Sequence, residues 1–131
     1  MMQYEFNNYR TSDGSLDIAY LLVEVHPSNW RAYILTDIDY KGRSTSVTTI
    51  HRLTESDENM KLKIRNFIRN NNVPYRKSDI HYICWSKTVT SLESIREVAK
   101  TWSEITAYYI KHGGTFQTIQ PILKSQGVIS I

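Results

Sequence analysis

The hydrophobic pattern of this chain changes its period at Thr54, and this change constrains the fold more than any other feature. Before Thr54, apolar residues alternate or form short β-branched runs that end at turn residues, as is typical of strands. After Thr54, apolar residues recur at helical spacing, i, i+4, i+7 and i+8, at Met60, Ile64, Phe67 and Ile68. Strands that come first and helices that come late predict an α+β protein.

Four strands are predicted before the change. Tyr4 and Phe6 alternate with polar neighbours, which predicts a short strand with one buried face. The later strand patterns lie at 16–25, 30–38 and 45–53. Turn residues separate these runs, and short turns between successive strands indicate an antiparallel meander.

A helix, a strand and a second helix are predicted next. The first helix has Thr54 as its N-cap and should end in 70–72, where asparagine tolerates the left-handed cap conformation. A strand follows at 79–86. The second helix should begin at the capping residue Thr90 and end at Gly113-Gly114.

The tail is predicted to hold a short helix that Pro121 opens and Gly127 closes, followed by a strand at 128–131. We therefore expect residues 1–131 to form a single α+β domain. In it, an antiparallel β-meander of four strands is followed by helix–strand–helix, with the helices packed on one face of the sheet.

Positive charge is concentrated in one segment. The chain has 16 Lys+Arg and 13 Asp+Glu, and the window 59–78 contains six basic residues and no acidic one. Three of these charges fall at i, i+4 and i+8 of the first helix, and two follow in the loop beside an aromatic residue. The predicted partner-binding residues are Lys61, Arg65, Arg69, Tyr75, Arg76 and Lys77.

Three interpretations of this basic segment stay open. It can grip a nucleic-acid backbone while Tyr75 stacks on a base. It can bind an acidic protein surface, where charge mainly raises the association rate. It can also be the solvated face that any amphipathic helix needs, because lysine and arginine are good helix formers.

Candidate catalytic and metal-binding residues are few. The single cysteine, Cys84, lies between two apolar residues and is interpreted as a buried structural thiol rather than a nucleophile. Glu24, Asp37 and Asp39 can be a carboxylate cluster for Mg²⁺, or solvated turn residues. The four histidines lack zinc-site spacing, and no phosphate-binding glycine loop is present, so we predict no metal and no cofactor.

The function predicted from these observations is that of a small binding protein without catalytic activity. Nine tyrosines favour a protein interface, and no nucleic-acid-binding motif is present, so a protein partner or self-association into a homo-oligomer is preferred. The alternatives are DNA or RNA binding through 61–77 and a metal-dependent hydrolase. We expect a cytoplasmic protein without a membrane segment, because the longest apolar run has six residues and no secretory signal opens the chain.

Overall fold

Five strands and three helices make up the described part of the computed structural model, which comprises residues 3–45, 53–54, 58–72 and 81–131. In chain order they are β1 (Tyr4–Arg10), β2 (Asp17–His26), β3 (Asn29–Ile34), β4 (Leu53–Thr54), α1 (Glu58–Asn70), β5 (Tyr82–Ile83), α2 (Leu92–His112) and α3 (Phe116–Ser125). The α+β class predicted from the element order is confirmed.

The strands form one antiparallel sheet in the order β1-β2-β3-β5-β4. The first three strands form the predicted meander. The fourth differs from the prediction: Tyr33 of β3 pairs with Tyr82 of β5, and β5 separates β3 from β4. The reason is that residues 35–45 alone already exceed a tight turn, and only a short turn forces successive strands to be neighbours.

The third and fifth predicted strands end earlier in the structure, and β5 stops at Ile83 rather than at residue 86. The third was predicted to reach residue 38, but β3 ends at Ile34. Most of the fourth prediction, 46–52, and the start of the fifth, 79–80, lie outside the described residues.

The sheet is covered by helices on both faces. Leu21, Val23 and Val25 of β2 pack with Met60, Ile64 and Ile68 of α1. On the other face, Ile18, Tyr20 and Leu22 pack with Ile95, Val98 and Trp102 of α2. This corrects the expectation of helices on one face: β2 is apolar on both sides, and both sides need cover because each fully buried aliphatic side chain contributes about 1.5–3 kcal/mol.

The helix boundaries follow local capping chemistry. Helix α1 ends at Asn70, and Asn72 takes a positive φ of 54°, as predicted for the asparagine run. The N-cap of α2 is Ser91 rather than Thr90, because it is the Ser91 hydroxyl that accepts the Ser94 N–H, at 3.1 Å. Gly113, with φ 74°, ends α2 as predicted.

The tail differs from its prediction. Helix α3 begins earlier, at Phe116, because Thr115 and Thr118 form a reciprocal capping box; Pro121 lies inside the helix instead of opening it. The predicted strand 128–131 does not form. Ile129 packs instead with Ile105 and Tyr109 of α2 and with residues of α3. Within the described ranges, each helix is too short or too polar to cross a membrane.

Candidate functional site

The structure describes only part of the predicted basic site. Arg65 and Arg69 are exposed on α1, and Lys61 belongs to the same helix. Helical geometry places these three residues, the basic stripe, along one side of α1. Tyr75, Arg76 and Lys77 lie in the segment 73–80, outside the described residues. Binding by these six residues stays a prediction.

Two of the three carboxylates of the metal hypothesis, Asp39 and Glu24, make local contacts. Asp39 is exposed, forms an ion pair with Lys41 at 3.3 Å and accepts the Lys41 backbone N–H, which holds the pKa of Asp39 below its usual value. Glu24 accepts the Ser28 backbone N–H at 3.2 Å, and Asp37 is exposed. In the part of the chain that the structure describes, no group of three His, Cys, Asp or Glu side chains is placed to hold a metal ion.

The interpretation of Cys84 as a buried thiol is wrong, because the side chain is exposed. Strand β5 ends at Ile83, so Cys84 lies beyond the alternation that predicted its burial. Its neighbour Trp85 is half-buried and makes an edge contact with Phe116, with ring centroids 5.8 Å apart.

Two exposed aromatic rings of β1 contact a partly buried ring of α1 where the two elements meet. Tyr4 and Phe6 are 49% and 44% exposed, and the centroid of Phe67 lies 4.1 Å and 5.3 Å from their ring centroids. We call these three residues the edge aromatic patch. Rings that contact one another in this way contribute about 0.5–1.5 kcal/mol per pair, which stabilises this arrangement of the patch.

Sequence reasoning missed this patch although it found the alternation of Tyr4 and Phe6. It assigned both rings to a buried face. In the structure α1 packs over the centre of the sheet and leaves the rings on β1 about half exposed. Whether these rings are buried or exposed depends on the strand order, in which β1 is the outer strand. The alternation contains no information on that order.

Strand β1 also has an open hydrogen-bonding edge. The Gln3 carbonyl accepts the Glu24 N–H, and the Leu16 carbonyl accepts the Thr11 N–H, both at 2.9 Å. The backbone groups of the odd-numbered residues of β1 therefore bond to β2. In an antiparallel ladder the alternate residues then direct their N–H and C=O groups to the other side. These are Tyr4, Phe6, Asn8 and Arg10. Among the described strands only β2 pairs with β1.

This edge lacks most of the features that protect natural sheet edges. Strand β1 has seven residues, no proline, no lysine and an unshifted register along its whole length. Short strands, proline, lysine and bulges are the usual ways to prevent a further strand from pairing. As far as the described residues go, the β1 edge, meaning the outward backbone groups of residues 4, 6, 8 and 10, is therefore able to accept a strand.

The odd side chains of β1 hold the strand rigidly on α2. Arg96 binds Glu5 with both ends of its guanidinium group, with Nε donating to Oε2 at 2.7 Å, and this hydrogen bond holds the pKa of Glu5 below its usual value. Tyr9 donates to the buried carboxylate of Glu104 at 2.6 Å. Partial burial and this carboxylate raise the pKa of Tyr9. The β1 edge is therefore fixed in place before any partner arrives.

Glu104 connects β1 to the turn that follows it. Besides Tyr9, its carboxylate accepts the backbone N–H of Ser12 at 2.9 Å and the Ser12 hydroxyl at 2.9 Å. Next to it, the Lys111 ammonium lies 2.8 Å from the Asp13 carboxylate. These contacts fasten Ser12 and Asp13, in the first half of the β1–β2 turn, to α2.

The edge aromatic patch and the basic stripe are separate surfaces. Arg65 and Arg69 are each two positions from Phe67 on α1, and two positions turn the helix so that side chains point about 160° apart. On α1, Arg65 and Arg69 therefore do not share one surface with the Phe67 ring.

Comparison with protein-family models finds no match for this chain. Comparisons with curated proteins and with solved structures find no match either. The function is therefore argued from the geometry of these surfaces, because a fold by itself does not specify a function.

Proposed function

We propose that the protein is a non-catalytic binding module that recognises a protein partner through the β1 edge and the edge aromatic patch. The observation that supports this most directly is the coincidence of the two features: Tyr4 and Phe6 carry both outward backbone groups and exposed rings. An extended segment that adds to a sheet edge uses these two elements, main-chain hydrogen bonds for affinity and side-chain contacts for specificity.

The rigidity of β1 supports the same proposal. Binding loses affinity whenever a surface must first be ordered. Here Arg96 and Glu104 already hold β1 from the α2 side. Only the docking segment must therefore become ordered on binding. We place this activity in the cytoplasm, because a chain with one cysteine, exposed as a free thiol, suits a reducing compartment.

Site-specific photocrosslinking tests the proposal. A photoreactive benzoylphenylalanine at Phe6 is expected to form an adduct of one defined mass with a protein partner in a host extract. The same group at Ile122, which is 38% exposed on α3, is the matched control and should give no such adduct. Equal adducts from both positions, or none from Phe6, would contradict the proposal.

Nucleic-acid binding through the basic stripe is the second candidate, and the exposure of Arg65 and Arg69 on one side of α1 supports it. Phosphate contacts by lysine and arginine make affinity fall steeply with salt. If the candidate is correct, Arg65→Ala/Arg69→Ala should weaken low-salt binding to mixed DNA and RNA, measured by fluorescence anisotropy, and lower its salt dependence. The charge-matched control Lys87→Ala/Lys124→Ala, at exposed positions elsewhere, should not. Absence of low-salt binding by the wild type would reject this candidate.

A further inference from the structure

We propose that the segment that binds the β1 edge is β1 of a second copy of this chain, paired antiparallel about a two-fold axis at Asn7. This inference rests on the proposed function and names its partner. The two sheets would join into one continuous sheet, with both α1 helices on one face and both α2 helices on the other, because a two-fold axis normal to the sheet preserves its faces.

The hydrogen-bond phase of β1 permits this pairing. Only residues 4, 6, 8 and 10 direct backbone groups outward, so a second β1 must place its own even-numbered residues opposite them. An axis at Asn7 meets this condition, with residue 4 opposite residue 10 and residue 6 opposite residue 8. It also pairs the full length of Tyr4–Arg10, which no other symmetric register does.

In this register the side chains of the two β1 strands are complementary to each other. The strand carries two charges, Glu5 and Arg10. The Tyr4 ring lies opposite Arg10 of the partner subunit, a cross-strand position from which a guanidinium group can cover the ring. Glu5 lies opposite Tyr9 of the partner subunit, so like charges never face each other. Symmetry makes each of these contacts twice.

The size of the contact predicts weak association. One seven-residue strand with the neighbouring edge aromatic patch buries less than the ~800 Å² per partner of a standard stable interface. The dimer should therefore form and dissociate with concentration, with monomer dominant at ~5 µM and dimer clearly populated at ~500 µM in analytical ultracentrifugation.

A proline variant tests the role of the backbone edge. Asn8→Pro removes an N–H that points outward and leaves the odd-numbered hydrogen bonds to β2 intact, since proline is tolerated where the strand edge is open. We expect the dimer dissociation constant to rise about tenfold or more. Asn8→Ala is the matched control: it loses the same side-chain hydrogen bond to Asp17 but keeps the N–H, and should stay near the wild-type value.

Two further measurements locate the interface even if the proline variant misfolds. Amide hydrogen exchange should slow with concentration at Tyr4, Phe6, Asn8 and Arg10, and should not change with concentration at Glu5, Asn7 and Tyr9. In a Cys84→Ser background, Asn7→Cys should form a disulfide-linked dimer readily, because a residue on the axis faces its own copy at about 4.5 Å between Cα atoms. Asn8→Cys, which faces residue 6 of the second copy, should do so more slowly.

A wild-type protein that stays monomeric at ~500 µM would reject the self-pairing, as would a dimer in which the even-numbered amides gain no protection. Failure of this inference and failure of the proposed function give different results. A monomer whose position 6 still crosslinks to another protein rejects only the second copy as the partner. A monomer that forms no adduct at all rejects both.

Discussion

The two faces of the sheet are covered to different extents. The α2 face is closed by a helix of 21 residues, and its packing reaches β1, where Arg96 and Glu104 bind the strand. The α1 face is covered by a helix of 13 residues that packs on β2 and β3 but leaves Tyr4 and Phe6 about half exposed. One face therefore fixes β1, while the other displays its rings.

Buried polar contacts strengthen the α2 face. The hydroxyls of Tyr20 and Ser103 lie 2.6 Å apart in a completely buried site, and Ser103 also donates to the Ala99 carbonyl at 2.7 Å. Burial raises the pKa of Tyr20, so the phenol stays protonated and available as a donor. Satisfied polar groups in a core specify one arrangement of the helix on the sheet, because any other arrangement would leave them unpaired.

The largest expected change in the free energy of unfolding comes from variants that test whether both faces of the sheet belong to one cooperative unit. Leu21 and Leu22 are adjacent in β2, both 0% exposed, and face α1 and α2 respectively. Leu21→Ala and Leu22→Ala should each lower the free energy of unfolding by about 2–5 kcal/mol, because each leaves a cavity in a packed core. Urea unfolding followed by tryptophan fluorescence and by circular dichroism measures both variants.

The two leucine variants can also show that the two faces do not belong to one cooperative unit. If Leu22→Ala destabilises the protein by this amount and Leu21→Ala changes it little, then α1 is not part of the cooperative core. Two separate transitions in the wild type, reported differently by the two probes, would have the same meaning.

The next largest effect concerns the buried carboxylate that holds β1. Glu104→Gln keeps the shape of the side chain but replaces one accepting oxygen by an amide that cannot accept from Tyr9 or Ser12. We expect a loss of about 1–3 kcal/mol in unfolding free energy. The control is Glu97→Gln, two turns earlier on α2, where the partner is the exposed Ser130 at 3.3 Å; its effect should stay within about 0.5 kcal/mol. Equal losses would show that Glu104 does not anchor the strand.

The smallest expected effect is a dependence of the protein's stability on pH, caused by Asp13 in the β1–β2 turn. Partial burial alone would raise the pKa of Asp13, but Lys111 and the donors of Ser15 and Thr11 hold it below the ordinary value of 3.8. A carboxyl whose pKa is lower in the folded state stabilises the fold above the unfolded-state pKa, and this contribution is lost as pH falls through the folded-state pKa.

Asp13→Asn should therefore destabilise the protein at pH 7 by about 1 kcal/mol or less, as is usual for partly exposed ion pairs. The difference from wild type should begin to shrink below about pH 3.8. Thermal unfolding at pH 7 and at pH 3 measures it, with the exposed Asp37→Asn as control. A difference that does not change with pH would mean that the charge of the Asp13 carboxylate contributes nothing to stability.

Local patterns in the sequence predicted those parts of the fold that depend on neighbouring residues. The first three strands, the anchoring face of α1 at Met60, Ile64 and Ile68, and the end of α2 at Gly113 all have local causes. The insertion of β5 and the placement of α1 opposite α2 depend on contacts between distant segments, which periodicity does not record.

The candidate site was harder to predict than the fold. The basic stripe is visible in the sequence because charge and helical spacing suffice to find it. The β1 edge is not visible, because an exposed aromatic strand and a half-buried one have the same alternation, and only strand order tells them apart. The burial of Cys84 was predicted wrongly for a related reason, since the strand was assumed to extend past Ile83.

The position of β5 between β3 and β4 sets an order of assembly. Strands β1, β2 and β3 are joined by short turns, and a chain emerging from the ribosome can close these hairpins early. The only pairing partner of β4 among the described strands is β5, which is made some 30 residues later. Leu53 and Thr54 must therefore wait for Tyr82 and Ile83, so β4 joins the sheet after β5 has been synthesised.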